Sequence, residues 1–327
     1  MSRLRIGLLA NPTAAGGSAH RVGRDVHHLL RIAGISVVDL TSSNAALARA
    51  RALEVRDTLT ALVVVGGDGT LALGAEIVAE TPVRLGLVPA GSGNDFARTY
   101  GLDVRSPDEA VRLLLQALSR PVVAIDAIEI RPDDEDRAAQ EGAAVPDTSG
   151  LARTIALGNV SLGFDALVNA RANSSRLAPR MRYTSAVLQE LRSFAPFPYW
   201  IEVDGGPREE VDASLLTLCS TGMFGGGMRL VPSARVDDGV LELAMVSGLR
   251  RSALLRFFPR VFRGTHVSVP QFSVRPVREI RVGLRDGTAL RSYADGEARD
   301  LLPIRARVLP GAVRILADLG TPSTVGE

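Results

Sequence analysis

The sequence contains no lysine; all 38 of its basic Lys-or-Arg positions are arginine. This excludes the phosphate-gripping lysine of a Walker A loop, the strand lysine of protein kinases and Schiff-base chemistry. Cysteine occurs once, at Cys219, so a disulfide framework and a cysteine-bound zinc site are both out. His20, His27, His28 and His266 are the four histidines, and none has metal-ligand spacing. Aromatic residues are only 4 %, so the 46 % hydrophobic content must build its core from Ala, Val, Leu and Ile. No apolar run reaches the roughly 18–20 residues of a membrane-spanning helix. The start, MSRLRIGLLANP, is broken by Pro12 too early for a signal peptide, so a cytoplasmic protein is expected. A net charge of +2 argues against a dedicated nucleic-acid binder.

What is present is ordered in two halves, and 327 residues suit two domains. Residues 4–10 predict a buried strand ending in the turn Asn11-Pro12. A helical spacing over Ser18–Ala33 follows. Strands Ile35–Leu40, Leu62–Val65 and Val83–Val88 then alternate with helices Asn44–Leu53, Leu71–Ala79 and Pro107–Leu118. This alternation predicts a nucleotide-binding α/β domain with a mostly parallel sheet over residues 1–122. Beyond Pro121 most segments predict strands: Val123–Ile130, Thr154–Asn159, Trp200–Val203, Ser214–Ser220, Val240–Val246, Val277–Val282 and Ile304–Val308. Helical stretches near Arg180–Phe194 and Leu249–Phe262 interrupt them. A β-rich, sandwich-like domain over residues 123–320 is expected. Arg131–Arg153, acidic and then Ala-, Gly- and Pro-rich, predicts a loop.

The sharpest motif is ALVVVGGDGTLAL, residues 61–73. A buried strand runs into Gly66, Gly67, Asp68, Gly69 and Thr70, and a helix opens. Glycines allow a tight turn and close backbone approach, and a helix N-terminus offers N–H groups to a phosphate. Asp68 would repel phosphate unless a Mg²⁺ ion lies between them. The same residues also suit a plain strand–helix turn with Asp68 as cap. In the second loop, LVPAGSGNDF at residues 87–96, Ser92 offers a donor to phosphate and Asn94 a partner for adenine or ribose. Asp95 offers another metal-side carboxylate. Asn11–Gly17 is a third loop, expected beside the other two at the carboxyl edge of one sheet, where open α/β folds bind nucleotides.

These motifs resemble the diacylglycerol kinase catalytic family, in its bacterial branch of soluble lipid kinases related to sphingosine kinases. Asn11, Pro12 and Gly16 match its N-P-x-x-G start, Gly66–Thr70 its G-G-D-G-T core, and Gly91–Asp95 its G-T-x-N-D loop with Ser92 for threonine. Thr41 stands where the family places a nucleotide-contacting threonine. Asp126 lies in the aspartate-bearing strand, and Asn159 with Gly163–Asp165 resembles N-x-x-x-G-x-D. Gly225–Leu241 resembles the tract whose aspartate binds a structural Mg²⁺. By position that ion would take Asp238 and the carbonyls of Arg235 and Val240. Asp295-Gly296-Glu297 resembles the D-G-E motif that supplies the catalytic base, and either carboxylate fits that role. The resemblance implies a fold related to NAD kinases and phosphofructokinases, with ATP and Mg²⁺ as cofactors. It implies phosphorylation of a lipid alcohol, most readily diacylglycerol, in phospholipid metabolism. Where the family continues L-N-E after G-G-D-G-T, this chain has Leu71, Ala72 and Leu73. Glu76 stands one turn on, and Arg21 or His20 takes the place of a lysine.

On this reading a carboxylate of Asp295–Glu297 takes the hydroxyl proton, and Asp68, Asp95 and Asp126 assist the metal. By itself Asp-Gly also favours an ordinary hairpin turn. Leu249–Phe262 mixes arginines with Leu and Phe and suits transient contact with an anionic membrane, or a core-packed helix. Phe194–Trp200 suits a lipid entrance or simple packing. Exposed strand edges in the second half make pairing of two copies an expectation. An NAD kinase-like enzyme and a catalytically weak nucleotide- or lipid-binding regulator are the alternatives.

Overall fold

The computed structural model describes residues 4–12, 18–91, 94–100, 102, 106–133, 136, 153–175, 179–191, 195–223, 225, 227–248 and 259–317. The chain forms two compact units, Met1–Ile125 with Gly311–Glu327, and Asp126–Pro310. The boundaries therefore fall inside two strands, and the chain returns to its first unit at the end.

The first unit begins β1 (Arg5–Ala10), α1 (Ser18–Ile32), β2 (Ser36–Asp39), α2 (Ala45–Val55), β3 (Ala61–Gly66), α3 (Asp68–Val78) and β4 (Arg84–Pro89). The helices α4 (Asp95–Thr99) and α5 (Pro107–Leu118) follow. The strands pair in parallel in the order β2-β1-β3-β4. Every residue of β3 is buried, which explains its unbroken apolar run. Helices α1 and α5 cover one face through Val26, Leu30, Ala110, Val111 and Leu114. Local capping sets the helix starts. Asn44 accepts from Leu47 N at 3.1 Å, and Ser106 from Glu109 N at 3.2 Å, with Pro107 in the first turn. Helix α3 starts at Asp68, earlier than the apolar pattern predicted, because Asp68, Gly69 and Thr70 themselves enter the helix.

The second unit starts within β5 (Val123–Pro132) and runs through β6 (Thr154–Ala156), β7 (Asn159–Ser161), α6 (Phe164–Ser174), α7 (Pro179–Glu190), β8 (Phe197–Val203) and β9 (Glu209–Ala213). Then come β10 (Leu215–Cys219), β11 (Leu241–Val246), β12 (Phe272–Val277), β13 (Glu279–Leu284), β14 (Arg291–Ala294), β15 (Glu297–Leu301) and β16 (Ile304–Ile315). One sheet has the order β12-β11-β10-β7-β14-β15. It faces β8, β13, β5 and the first half of β16 across a core of Ile128, Tyr199, Ile201, Leu216, Leu218, Leu243, Ile280 and Ile304. Its other face packs Cys219, Ala244 and Val246 under α6 and α7. This is a β-sandwich with two helices on one side. The last residues of β16, Arg314 and Ile315, belong to the first unit and pair in parallel with Arg84 and Leu85 of β4.

Three expectations needed revision. The predicted strand Thr154–Asn159 is two strands broken at Leu157-Gly158, because those amides are taken by a side chain described below. Val277–Val282 spans two strands, β12 and β13. Helix α6 was not expected, since its apolar residues are diluted by Asp165, Asn169 and Asn173. Most of Arg131–Arg153, residues 249–258 of the Leu249–Phe262 stretch and Phe194 lie outside the described residues. Among the described residues no helix is long and apolar enough to cross a membrane.

Arginine holds the second unit together at its surface. Arg281 forks onto Asp133 at 2.8 and 3.0 Å and reaches Glu202 at 2.8 Å, while Arg208 bridges Glu202 and Asp136 and stacks on Trp200. Glu129, 3 % exposed, receives Arg131, Arg153 and Arg307. Burial pushes its pKa up, but Arg131 and Arg307 outweigh this and hold it below the usual value. A carboxylate with a depressed folded pKa stabilises above its unfolded pKa of about 4.3 and loses that stabilisation as pH falls through the folded value. Because the arginines are partly exposed, Glu129→Gln should cost about 1–3 kcal/mol at pH 7 in urea denaturation. The gap to wild type should narrow below about pH 4; a gap independent of pH would contradict the charge assignment.

Candidate active site

In the first unit the three predicted loops follow adjacent parallel strands, so they share one sheet edge. Asn11 N donates to Val65 O at 3.2 Å, and Ala90 N to Gly66 O at 2.8 Å. Thr41 joins this edge; its Oγ1 accepts from Ala10 N at 3.4 Å and its own N–H donates to Asp39 at 2.9 Å. Asn11 and Pro12 are half-buried. Gly16 and Ser92 lie outside the described residues.

The two glycine loops touch backbone to backbone. A Cβ on Gly67 would lie 3.2 Å from Gly91 Cα, and one on Gly91 would lie 2.9 Å from Gly67 N and well inside contact with its Cα. Gly91 has no room for a side chain, and Gly67 has little. Asp68 completes the junction. Its Oδ2 accepts from Asp95 N and its Oδ1 from Phe96 N, both at 3.2 Å. Asp68 is not the cap of its own helix, as a plain turn would have it: Gly67 holds that position, and Asp68, in the first turn of α3, caps α4 instead. Burial, then the charge of Asp95, raises the Asp68 pKa against the bonds from Phe96 and Asp95. Asp95 itself pairs with Arg98 at 2.6 Å. Asn94 has φ +55° and closes its own loop, accepting from Gly91 N at 3.1 Å and donating to Gly91 O at 3.0 Å. Its side chain is engaged in holding the loop. Thr70 is buried beside Gly66, and Gly69 lies in the first turn of α3. Ala72 is 1 % exposed and belongs to the core, while Glu76 lies 3.9 Å from Arg49.

In the second unit, Asp295 and Gly296 form the turn of the β14–β15 hairpin with φ of +50° and +82°, and Ala294 pairs with Glu297. Two consecutive positive φ values define the tight turn that Asp-Gly favours. The Asp295 carboxylate is sunk into backbone. It accepts from Leu157 N and Gly158 N at 2.8 Å and from Asn159 N at 3.1 Å, while Asp295 N donates to Asn159 O at 3.0 Å. Glu297 is exposed at the start of β15.

Asp126 is buried and ties down the 235–240 turn: its Oδ2 accepts from Gly239 N at 2.7 Å and its N–H donates to Val236 O at 2.7 Å. Asp238 is exposed and accepts from Val240 N at 3.2 Å. Burial and then the Asp238 charge raise the pKa of Glu242. Arg235 also lies exposed, its side chain on Asp237 at 3.3 Å. Among the described residues no three His, Cys, Asp or Glu side chains cluster to hold a metal. An ion at either carboxylate group would have to complete its shell with main-chain carbonyls, water or phosphate oxygens, as Mg²⁺ commonly does.

Asp165 stood in a motif noted above, but its partner Thr217 and the contacts of Asn169 and Asn173 were not anticipated. Asp165, 3 % exposed, accepts from Thr217 Oγ1 at 2.7 Å and Gly163 N at 3.2 Å, and burial raises its pKa. Asn169 lies 3.5 Å from Ser161 Oγ, and Asn173 donates to Gly296 O at 2.8 Å. Their four-residue spacing was the available signal. Cys219 is buried, and burial with the charges of Asp165 and Glu242 raises its thiol pKa, which makes it a packing residue.

An α/β unit with two glycine loops at one sheet edge and a β-sandwich bearing carboxylate turns are features of a two-unit phosphotransferase. The sequence profile of the diacylglycerol kinase catalytic domain matches residues 5–127, and that of the YegS C-terminal NAD kinase beta sandwich-like domain matches residues 158–317. A diacylglycerol kinase of Mycobacterium tuberculosis is 31 % identical over 315 residues, covering 95 % of this chain and 94 % of the relative. A probable lipid kinase YegS-like of Stenotrophomonas maltophilia is 26 % identical over 269 residues, 80 % of each chain. The crystal structure of a putative diacylglycerol kinase from Bacillus anthracis str. Sterne has a TM-score of 0.74 at 20 % identity, covering 99 % of this chain and 100 % of its own. An NAD kinase from Archaeoglobus fulgidus in complex with ATP has a TM-score of 0.51 at 14 % identity, covering 96 % and 93 %; these two share the fold. The chain belongs to the diacylglycerol kinase family and is a lipid kinase.

The loop junction makes a direct prediction. Gly91→Ala should weaken ATP binding about tenfold or more by forcing the loops apart, and Asp68→Ala should do so by uncapping α4. Calorimetric titration measures this; unchanged affinity in both variants would remove the junction from the nucleotide site.

Proposed function

We propose that this kinase transfers the γ-phosphoryl group of ATP to the free hydroxyl of a diacylglycerol. The observation that carries the acceptor assignment is the near end-to-end similarity to the Mycobacterium tuberculosis relative named diacylglycerol kinase. The D-G-E hairpin supports the chemistry.

The nucleotide side belongs to the first unit. Without lysine, the N–H groups opening α3 and arginine side chains take the phosphates, and the Gly67–Gly91 contact keeps that surface open. Thr41, Asn11 and Pro12 stand at the same sheet edge, suited to line the nucleotide, with Gly16 and Ser92 in the same loops. Asn94 acts by shaping its loop. Asp68 and Asp95 bring two carboxylates together, one with a raised pKa, which a divalent cation would relieve. The donor set thus suits Mg²⁺, which when bound neutralises phosphate charge. Asp126 serves by holding the turn that presents Asp238 and the Arg235 and Val240 carbonyls, a hard-oxygen set suited to a structural Mg²⁺.

On the acceptor side, Glu297 is the general base. The acceptor oxygen attacks the γ-phosphorus, the bond to the β–γ bridging oxygen breaks, ADP leaves with that electron pair, and Glu297 takes the hydroxyl proton. Asp295 is assigned an anchoring role, since three backbone N–H groups already occupy its carboxylate. The lipid is taken from a membrane surface.

The test is transfer of label from ATP to a panel of lipid alcohols in mixed micelles with Mg²⁺, with NAD as a competing acceptor. Diacylglycerol should label fastest. Glu297→Gln should lower kcat by about 10²–10⁴ with ATP affinity intact. Preferential labelling of another alcohol or of NAD would refute the acceptor assignment, and full activity of Glu297→Gln would refute the base.

A further inference from the structure

The hairpin that presents Glu297 is held by its sheet on one side alone: β14 pairs with β7 up to Ala294, whereas Glu297 opens the edge strand β15. Strand β15 lies at the sheet edge and pairs only with β14 in the strand order, and that pairing slips register between Arg291 and Tyr293. A two-residue turn fixes the hairpin tip relative to its own two strands and to nothing else. Among the described residues, hydrogen bonds from two other places reach the tip. One is the loop 157–159 that receives the Asp295 carboxylate. The other comes from α6.

Asp165, Asn169 and Asn173 recur every fourth residue, so they form one stripe along α6. The strands beneath are ordered β10-β7-β14-β15. The stripe meets them in that order: Asp165 receives Thr217 of β10, Asn169 reaches Ser161 of β7, and Asn173 donates to the Gly296 carbonyl in the β14–β15 turn. The first contact is fully buried and sets the register of the helix, because a buried carboxylate without Thr217 and Gly163 would be costly. The last contact is exposed.

We infer that the α6 stripe is a positioning device for Glu297, with Asn173 as the residue that transmits the buried register of the helix to the turn. Asp295 fixes the residue before Gly296 and Asn173 fixes Gly296 itself, so both backbone positions ahead of Glu297 are tethered. The inference rests on Glu297 as the base. Asn173 does not touch the reacting atoms in this scheme.

Asn173→Ala and Asn173→Asp test it. Both remove the amide donor, the second without changing shape, and the exposed site permits either to fold. Hydrogen–deuterium exchange over residues 291–301 should accelerate about fivefold or more in both. Lipid kinase kcat should fall about fivefold, the worth of one positioned hydrogen bond, with KM for ATP and for lipid unchanged. Unchanged exchange in both variants would overturn the tether. Faster exchange with wild-type kcat would overturn its role in positioning the base. Exchange is read without substrate, so a wild-type enzyme that ignores diacylglycerol would indict the acceptor assignment and leave the tether to be judged by exchange and by kcat on whichever acceptor is labelled.

Discussion

The first unit of this protein depends on one close approach: the backbones of Gly67 and Gly91 meet so closely that a side chain on Gly91 would strike Gly67. Asp68 then spends both carboxylate oxygens on the amides that open α4, so the second loop is capped by the first. Loop composition, helix starts and the raised pKa of Asp68 are consequences of that one junction. It joins two strand-to-helix turns that are separate in sequence. In a chain without lysine, the proposed phosphate grip falls to the N–H groups opening α3 together with arginine.

The second unit uses the same economy for its acidic residues. Asp126 and Asp295 are both bonded to backbone amides, and each pins a turn. The carboxylates those turns present, Asp238 and Glu297, stay exposed. On the proposed reading, anchoring and chemistry would thus be divided between neighbouring residues. Division of this kind suits catalysis, since a general base must be held still without losing its lone pairs to the scaffold. Arginine plays the corresponding structural role at the surface, where forked pairs such as Arg281–Asp133 exploit a geometry that lysine lacks.

Much of this was legible in the chain. The alternation of buried strands with helices announced the α/β unit, and the glycine loops fell where the sheet edge places them. Ser106-Pro107 marked the start of α5 because capping is local chemistry. The Asp-Gly turn was equally plain, for the same reason. Other features were hidden. The break at Leu157-Gly158 follows from Asp295, more than a hundred residues away in the chain. Helix α6 was obscured because its stripe of Asp165, Asn169 and Asn173 looks polar until the strands it answers to are in place. That Asn94 also closes its own loop onto Gly91 was not visible in the chain.

By itself the sequence determined the elements whose causes are local: apolar runs that must be buried, caps, turn residues, glycines, and the motifs that mark the family. Tertiary structure alone decided what each carboxylate does. A side chain's role depends on which amides and charges come within about 3 Å of it, and here those partners are distant in the chain. It also decided that the last strand, continuous in sequence with the β-sandwich, ends its run against β4 of the first unit. Strand pairing is satisfied by any backbone that arrives in register, so no residue in β16 announces its partner.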